Sequence, residues 1–188
     1  MKIRRFMLFS LFLVLFSGFV YGGGFLIEAK GLYFQPSDQN FKDIYSNGSF
    51  KNWVSYGGEI GVTIWKGLGI WAGGHYFLGK GELTYTQEET KIWLIPVYGG
   101  LKFRVLKGNV SPYIGVGVGY FLYKERNRIG KVERGDIGYI GQAGLLFKIL
   151  KLFIIDIQAS YTYCSVRPRD LKADLGGIQA GIGFGIEF

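Results

Sequence analysis

Apolar residues alternate with small or polar ones over most of this chain. The pattern is clearest over residues 175–188, where every second position from Ile178 to Phe188 is apolar. The positions between them are glycine, apart from Gln179 and Glu187. A side-chain period of two is the signature of a β-strand with two different faces. The pattern therefore predicts a strand over residues 175–188 with one wholly apolar face.

Seven earlier stretches share this alternation, so the sequence predicts eight strands. They are residues 25–35, 53–65, 68–78, 92–105, 113–123, 137–147, 153–165 and 175–188. The connections are long after the odd-numbered strands, as in the polar loops 79–91 and 124–136, and short after the even-numbered ones. An even strand count with alternating short turns and long loops is typical of outer-membrane barrels. The predicted fold is therefore all-β: an eight-stranded antiparallel up-and-down transmembrane β-barrel.

A soluble eight-stranded barrel, apolar inside and polar outside, is the structural alternative. The last strand argues against it, because its solvent face would be almost bare of charge. In a membrane barrel those glycines would instead relieve a lumen that eight strands leave only wide enough for side chains. Aromatic residues near strand ends also fit the girdles at membrane interfaces. These aromatic residues are Tyr33, Trp53, Trp65, Tyr76, Trp93, Tyr120 and Tyr163.

The face opposite the apolar one carries charged and polar residues that would point into the lumen. These residues are Glu28, Lys30, Glu59, His75, Lys102, Arg104, Asp156 and Glu187. Apart from the histidine, three of them are basic and four are acidic. Charges removed from water must pair, because an unpaired buried charge costs several kcal/mol. We therefore predict an internal ion-pair network that plugs the barrel.

A narrow conduit for small or hydrophobic molecules is the alternative function. Pro96 lies inside the fourth predicted strand, where proline removes a hydrogen-bond donor from the ladder. The sequence therefore predicts a bulge or a locally unpaired spot there. An open lumen, or a lateral gap near Pro96, would favour the conduit over the plugged barrel.

Residues 1–22 have a composition of their own. A basic start with Lys2, Arg4 and Arg5 precedes a continuous apolar run over residues 6–20. This run is too short for a spanning helix, which needs about 20 residues. It predicts a secretory signal peptide over residues 1–22 and leaves residues 23–188 as the barrel domain. Removal of its three basic residues lowers the formal net charge from +8 to +5.

Basic residues gather in two of the predicted external loops. They are Arg126, Arg128, Lys131, Arg134, Arg167, Arg169 and Lys172. Such side chains at the outer surface could pair with the phosphates of lipopolysaccharide and other outer-membrane lipids. Ordinary solvation of charged loops explains them equally well. Nucleic acid is not an expected partner, because these loops would face the cell exterior.

Candidate chemistry is sparse. His75 is the only histidine and Cys164 the only cysteine. A Ser-His-acid hydrolase would have to use His75, yet no serine stands in a nucleophile-elbow context. A zinc site needs more nitrogen or thiolate ligands than these two residues supply. We therefore predict no enzyme, no metal and no cofactor, with a lipid-modifying enzyme around His75 as the remote alternative.

Four segments carry a family resemblance: GLYFQPSD (31–38), LTYTQEETK (83–91), SPYIGVGVGY (111–120) and DLGGIQAGIGFGIEF (174–188). With them, the chain resembles the small Gram-negative outer-membrane β-barrel family related to OmpA and OmpX. The resemblance implies an exported protein of the outer membrane. We expect a structural or surface-interaction role and a monomer. In that family an alternating last strand ending in Phe resembles the signal read by the barrel-assembly machinery. The matching residues here are Ile182, Phe184, Ile186 and Phe188.

Overall fold

The computed structural model describes six stretches of the chain. They are residues 24–38, 53–82, 89–105, 108–127, 130–166 and 173–188. Within them, the side chains of 80–82, 89–90, 125–127, 130–132, 166 and 173 are not described. The predicted signal peptide over residues 1–22 lies outside the described residues, so it stays a prediction.

Eight long antiparallel strands close into a barrel, in which each pairs with its neighbours along the chain and the first pairs with the last. The strands are β1 (Phe25–Pro36), β2 (Val54–Trp65), β3 (Leu68–Glu82), β4 (Glu89–Arg104), β5 (Val110–Asn127), β6 (Gly130–Ile149), β7 (Phe153–Tyr163), β8 (Ser165–Val166), β9 (Ala173–Asp174) and β10 (Gly177–Glu187). The two-residue strands β8 and β9 form a separate hairpin between β7 and β10. The predicted eight-stranded antiparallel fold is confirmed.

Strand β10 closes the barrel, as its sequence pattern predicts. It pairs with β1 from Leu26↔Glu187 to Pro36↔Gly177, and with β7 along its other edge. Closure leaves no open edge in this sheet, so nearly all of the wall's backbone groups pair between strands. Among the described residues, no helix has both the length and the apolar character needed to cross a membrane.

The two ends of the barrel differ. One end, here the turn end, holds the short β2–β3, β4–β5 and β6–β7 connections, the start of β1 and the end of β10. Lys66 and Gly67 both have positive φ, +38° and +94°, which is the two-residue turn that matches the twist of paired strands. The opposite end is here the loop end. In outer-membrane barrels short turns face the periplasm and longer loops face outward.

Strands β5 and β6 extend further than the sequence predicts. They contain 18 and 20 residues and stay paired from Val110↔Phe147 to Asn127↔Gly130. The prediction of a loop over residues 124–136 is therefore wrong. The predicted loop over residues 79–91 is also too long, because β3 reaches Glu82 and β4 begins at Glu89. About 9–11 residues suffice for a strand to cross a membrane, so the β5–β6 hairpin projects well beyond it at the loop end.

The outer wall of the barrel is apolar. On β5, for example, Ile114, Val116 and Val118 are 60%, 64% and 56% exposed. Water-soluble proteins rarely expose a continuous apolar surface of this kind. A wall with alternate side chains outward and apolar is instead what a lipid bilayer requires.

Exposed tyrosines mark the loop-end half of the wall. They are Tyr33, Tyr56, Tyr76, Tyr120, Tyr139, Tyr161 and Tyr163. Cross-strand pairs such as Tyr56↔Tyr76 and Tyr139↔Tyr163 place them side by side, as in an interfacial girdle. Contrary to the prediction, Trp53 does not belong to this girdle. It is only 8% exposed and stacks on Phe77 at 6.1 Å inside the barrel, because the residue just before β2 continues the inward positions of that strand.

Candidate functional site

The inward side chains form successive layers along the barrel axis. At the turn-end mouth, Arg104 donates to the Glu187 carboxylate, and Lys148 Nζ lies 3.6 Å from the other Glu187 oxygen. These residues are only partly buried, and they line an open cavity of about 300 Å³. Arg104 and Glu187 therefore lie inside the barrel wall, but in a separate pair from the other predicted lumen charges.

A buried apolar layer follows, made of Leu26, Tyr113, Leu146 and Ile154. Tyr113 is 1% exposed, and its hydroxyl points toward the next layer. There it donates to Asp156 Oδ2 at 2.9 Å and to Gln158 Oε1 at 3.1 Å. Tyr113 thus joins the apolar layer to a layer of charge.

Lys30 is the centre of that charged layer. Its Nζ lies 3.1 Å from Glu28 Oε1, 2.9 Å from Glu59 Oε2 and 3.1 Å from Asp156 Oδ2. It also donates to the Gln158 side-chain carbonyl. The Lys30 side chain is 0% exposed, as are those of Glu28 and Asp156. One ammonium group therefore bridges three carboxylates that water does not reach.

Lys102 is the second cation of this layer. It pairs with Glu59 Oε1 and lies 3.8 Å from Glu28 Oε1. Its Nζ is also 4.4 Å from the centroid of the Tyr113 ring, within range of a cation–π interaction. We call Glu28, Lys30, Glu59, Lys102 and Asp156 the charge cluster.

Strand β10 leaves room for the charge cluster at one glycine. A Cβ on Gly183 would lie 3.2 Å from Lys30 Cγ, 3.3 Å from Asp156 Cβ and 3.3 Å from Glu28 Oε2. Each of these contacts is tighter than most real Cβ contacts, so a larger side chain would displace the charged groups. This glycine therefore has the role that the sequence assigns to the lumen glycines, relief of crowding.

His75 lies in the next layer toward the loop end. Its ring nitrogens are 2.8 Å from the Tyr98 hydroxyl, and Nδ1 is 3.1 Å from Gln179 Oε1. These partners are neither the serine nor the carboxylate that a hydrolase would place on this histidine. Among the described residues, no three metal-binding side chains are grouped to hold an ion.

An apolar cap closes the sequence of layers at the loop end. Its members are Phe34, Trp53, Phe77, Ile92, Leu94, Phe121, Cys164 and Leu175. The rings of Phe34 and Phe77 meet edge to face, with centroids 5.1 Å apart. Sequence reasoning missed this cap, because its inward residues alternate with outward residues that are also apolar. The alternation along β1 does indicate the cap, because Phe34 falls on the same inward face as Glu28 and Lys30.

Cys164 follows the end of β7, beyond the spanning strands. Its side chain is fully buried in the apolar cap. Burial, with the nearby carboxylates of Asp136 and Asp174, raises the pKa of the Cys164 thiol to about 12. The thiol is therefore protonated and a poor nucleophile at neutral pH. Cys164 is therefore a packing residue of the apolar cap.

The β3–β4 ladder is interrupted at Pro96. Gly74 pairs with Val97 and Phe77 pairs with Leu94, but the two positions between them on each strand are not paired. The register is the same on both sides of the interruption, so it is a gap and not a bulge. The predicted locally unpaired spot is confirmed. Pro96 itself is fully buried and faces the interior opposite His75.

Only some of the predicted external basic residues lie among the described residues. Arg134 is exposed on β6, opposite Tyr123 of β5. The backbones of Arg126 and Lys131 pair with each other in the same hairpin, but their side chains are not described. The remaining four, Arg128, Arg167, Arg169 and Lys172, lie outside the described residues. The proposed assembly residues Ile182, Phe184, Ile186 and Phe188 share the outward face of the last strand.

The fold matches that of known outer-membrane barrels. No family model matches the chain, and no curated protein matches its sequence. Outer membrane protein OprG from Pseudomonas aeruginosa is 15% identical, with a TM-score of 0.65 over 89% of this chain and 96% of that one. The N-terminal β-barrel domain of OprF from the same organism is 15% identical, with a TM-score of 0.55 over 89% and 100%.

A third similar structure is Ail, the attachment invasion locus protein of Yersinia pestis, in complex with the heparin analogue sucrose octasulfate. It is 20% identical, with a TM-score of 0.57 over 88% of this chain and 99% of that one. The resemblance to small outer-membrane barrels is thus confirmed at the level of the fold.

Proposed function

We propose that this chain is an outer-membrane barrel of a Gram-negative bacterium, with a structural or surface-interaction role and a lumen closed to ions. In this role β10 with Phe188 is read by the barrel-assembly machinery, and the finished barrel works as a monomer without a cofactor. The proposal rests on an apolar outer wall combined with an interior that holds the ion pairs of the charge cluster and the ring contacts of the apolar cap. Proteins with this fold in P. aeruginosa and Y. pestis carry outer-membrane or attachment names, which supports the location.

The main support for a closed lumen is that two different buried layers, one charged and one apolar, follow each other along the barrel axis. The charge cluster is buried around Lys30, and the apolar cap is buried around Phe77 between that cluster and the loop end. An ion crossing the lumen would have to displace both a set of ion pairs and an aromatic cluster. Each displacement exposes groups at a cost of several kcal/mol.

Single-channel recording of the purified barrel in a planar bilayer tests this closure. We expect no conductance steps above the bilayer baseline. Folding is checked by comparing the gel mobility of heated and unheated samples. The matched variant is Phe77→Ala with Phe121→Ala, which removes two rings of the apolar cap and leaves the charge cluster intact. Steady ion flow through the unmodified barrel would contradict the closed lumen.

At the loop end, we propose that the projecting β5–β6 hairpin contacts the phosphorylated sugars of lipopolysaccharide. Lys124 Nζ lies 5.8 Å from the Trp93 ring centroid. Both residues line a cavity of about 220 Å³ with Ile95, Leu122 and Glu133. This cavity combines a cation with apolar side chains and lies just beyond the tyrosine girdle. A lipid that carries phosphate next to its acyl chains could contact both kinds of group. The complex of Ail with the heparin analogue sucrose octasulfate, an anionic sugar, supports this proposal.

Binding of lipopolysaccharide to the barrel in nanodiscs tests this contact. We expect the double variant Lys124→Gln, Arg134→Gln to weaken binding about fivefold for each cation removed, or about 30-fold in all, since each cation near an anionic surface contributes about 1 kcal/mol. The matched control is Lys66→Gln, Lys151→Gln, which removes the same charge from the turn end. Equal binding of dephosphorylated lipopolysaccharide would show that phosphate is not the group recognised.

The conduit for small or hydrophobic molecules remains the second candidate function, and the gap in the β3–β4 ladder favours it. A molecule entering there would pass between Tyr76 and Ile95 from the lipid side. The buried Pro96 and His75 occupy the interior at that height. Uptake of a hydrophobic dye into vesicles that contain the barrel, without ion conductance, would favour this lateral route over the closed barrel.

A further inference from the structure

The turn end of the barrel carries an excess of positive charge. Its described cationic side chains are Lys66, Arg104, Lys148 and Lys151, and its one described acidic side chain is Glu187. Glu187 is already engaged by Arg104 and Lys148. Lys66 and Lys151 sit on exposed turns and pair with no carboxylate of the described residues. The described loop-end charges are mixed by comparison, with Lys91, Lys124 and Arg134 against Asp38, Glu133, Asp136 and Asp174.

Apolar side chains accompany these two lysines. Trp65 is 64% exposed, and Lys66 Nζ lies 5.3 Å from the centroid of its ring. On the β6–β7 turn, Leu150 and Leu152 flank Lys151 and are 78% and 46% exposed. A tryptophan or leucine beside a lysine places apolar groups at the acyl boundary and the ammonium at the headgroups.

Leu150 has a backbone conformation that leucine seldom adopts. Its φ is +56°, in the left-handed region where glycine or asparagine is usual. The turn therefore accepts strain and exposes a large apolar side chain at the same position. Residues in this region of φ persist where the surrounding structure fixes them, and they cluster at functional sites. Contact with a lipid surface beside the turn would be such a function, because the lipid would cover the leucine.

We propose that the turn-end surface formed by Trp65, Lys66, Leu150, Lys151 and Leu152, here the basic rim, binds the headgroups of anionic phospholipids in the adjoining leaflet. The inference rests on the membrane location proposed above. The wall ends at these turns, so phospholipid headgroups lie beside them wherever the barrel spans a bilayer. Lys66 and Lys151 supply the charge that selects a phosphatidylglycerol-type headgroup over a zwitterionic one.

Spin-labelled lipids measure this selection directly. The barrel is placed in phosphatidylcholine nanodiscs with a trace of spin-labelled phosphatidylglycerol or phosphatidylcholine, and the motionally restricted fractions are compared. We expect the unmodified barrel to prefer phosphatidylglycerol. In the double variant Lys66→Gln, Lys151→Gln this preference should fall about fivefold for each lysine removed. The preference should fall as salt is added, since exposed charges are screened within about 10 Å at 0.1 M.

The matched control, Lys124→Gln with Arg134→Gln, removes the same charge from the loop end and should keep the preference. Equal loss in both double variants, or no loss in the turn-end variant, would overturn the basic rim. Co-sedimentation with purified peptidoglycan sacculi that needs Lys66 and Lys151, without lipid preference, would also overturn it and assign the lysines to cell-wall carboxylates. A barrel that does not fold into nanodiscs at all contradicts the membrane location instead.

Discussion

Replacement of Lys30 by methionine is expected to lower the free energy of unfolding of the barrel by about 3–5 kcal/mol. Lys30 Nζ lies within 3.1 Å of carboxylate oxygens on Glu28, Glu59 and Asp156, and its side chain is 0% exposed. Methionine has a similar length and no charge, so the change removes the ammonium with little change in volume. Three carboxylates would then share Lys102 alone, in a site that water does not reach. Urea unfolding in lipid vesicles, followed by tryptophan fluorescence, measures the loss.

A second substitution separates lost charge from lost packing. Glu28 has Lys30 as its nearest cation, with Lys102 at 3.8 Å. Glu28→Gln in the Lys30→Met background removes one of the stranded charges, and we expect it to recover about 1–3 kcal/mol. The same Glu28→Gln change in the unmodified barrel should be destabilising or neutral. If Lys30→Met unfolds at the parent midpoint, the charge cluster does not hold the barrel together.

Replacement of Gly183 by leucine is the second large effect, with an expected loss of about 1–3 kcal/mol or a failure to fold. A Cβ at this position already meets Lys30, Asp156 and Glu28 at 3.2–3.3 Å. The remaining leucine atoms would have to occupy the volume of the charge cluster itself. Ion pairs would separate, and their carboxylates are buried away from solvent.

Gly141 supplies the matched control for this prediction. It lies on the outward face of β6, and a Cβ there would meet nothing within 4 Å. Gly141→Leu should therefore be neutral or stabilising, because glycine is a poor strand residue and leucine suits the lipid face. Similar losses for the two leucine variants would show that the glycines serve the strand backbone and not the space inside the barrel.

The sequence predicts most of the wall because alternation is strong where one face meets lipid. All eight long strands and the inward parity of Glu28, Lys30 and Asp156 follow from it. The pattern fails beyond the membrane. From Lys124 to Asp136 both faces of the hairpin are polar, so the ladder that continues there has no periodic signal. Pairing partners, which hold this hairpin together, lie in the neighbouring strand and not in the local sequence.

The interior was harder to predict than the wall. Residue parity shows which side chains point inward, but their partners depend on how far each strand is shifted against the next. For that reason Arg104 and Glu187 form a separate pair near the mouth, whereas Lys30 has the central place. The glutamines of the same layers, Gln142, Gln158 and Gln179, are uncharged, so a search for charged lumen residues does not include them. Each is buried and hydrogen-bonded to a charged group or to His75.

The order of the layers has a consequence for how the barrel responds to salt. The charge cluster lies between the Leu26 and Tyr113 layer on one side and the apolar cap on the other. In the closed lumen proposed above, dissolved ions do not approach its carboxylates, and their attraction to Lys30 and Lys102 is not screened. Contacts made by the exposed lysines at either rim weaken with ionic strength, over distances of about 10 Å at 0.1 M. The lipid contacts proposed at the two ends of the barrel would therefore weaken as the surrounding salinity rises, whereas the buried ion pairs would keep their strength.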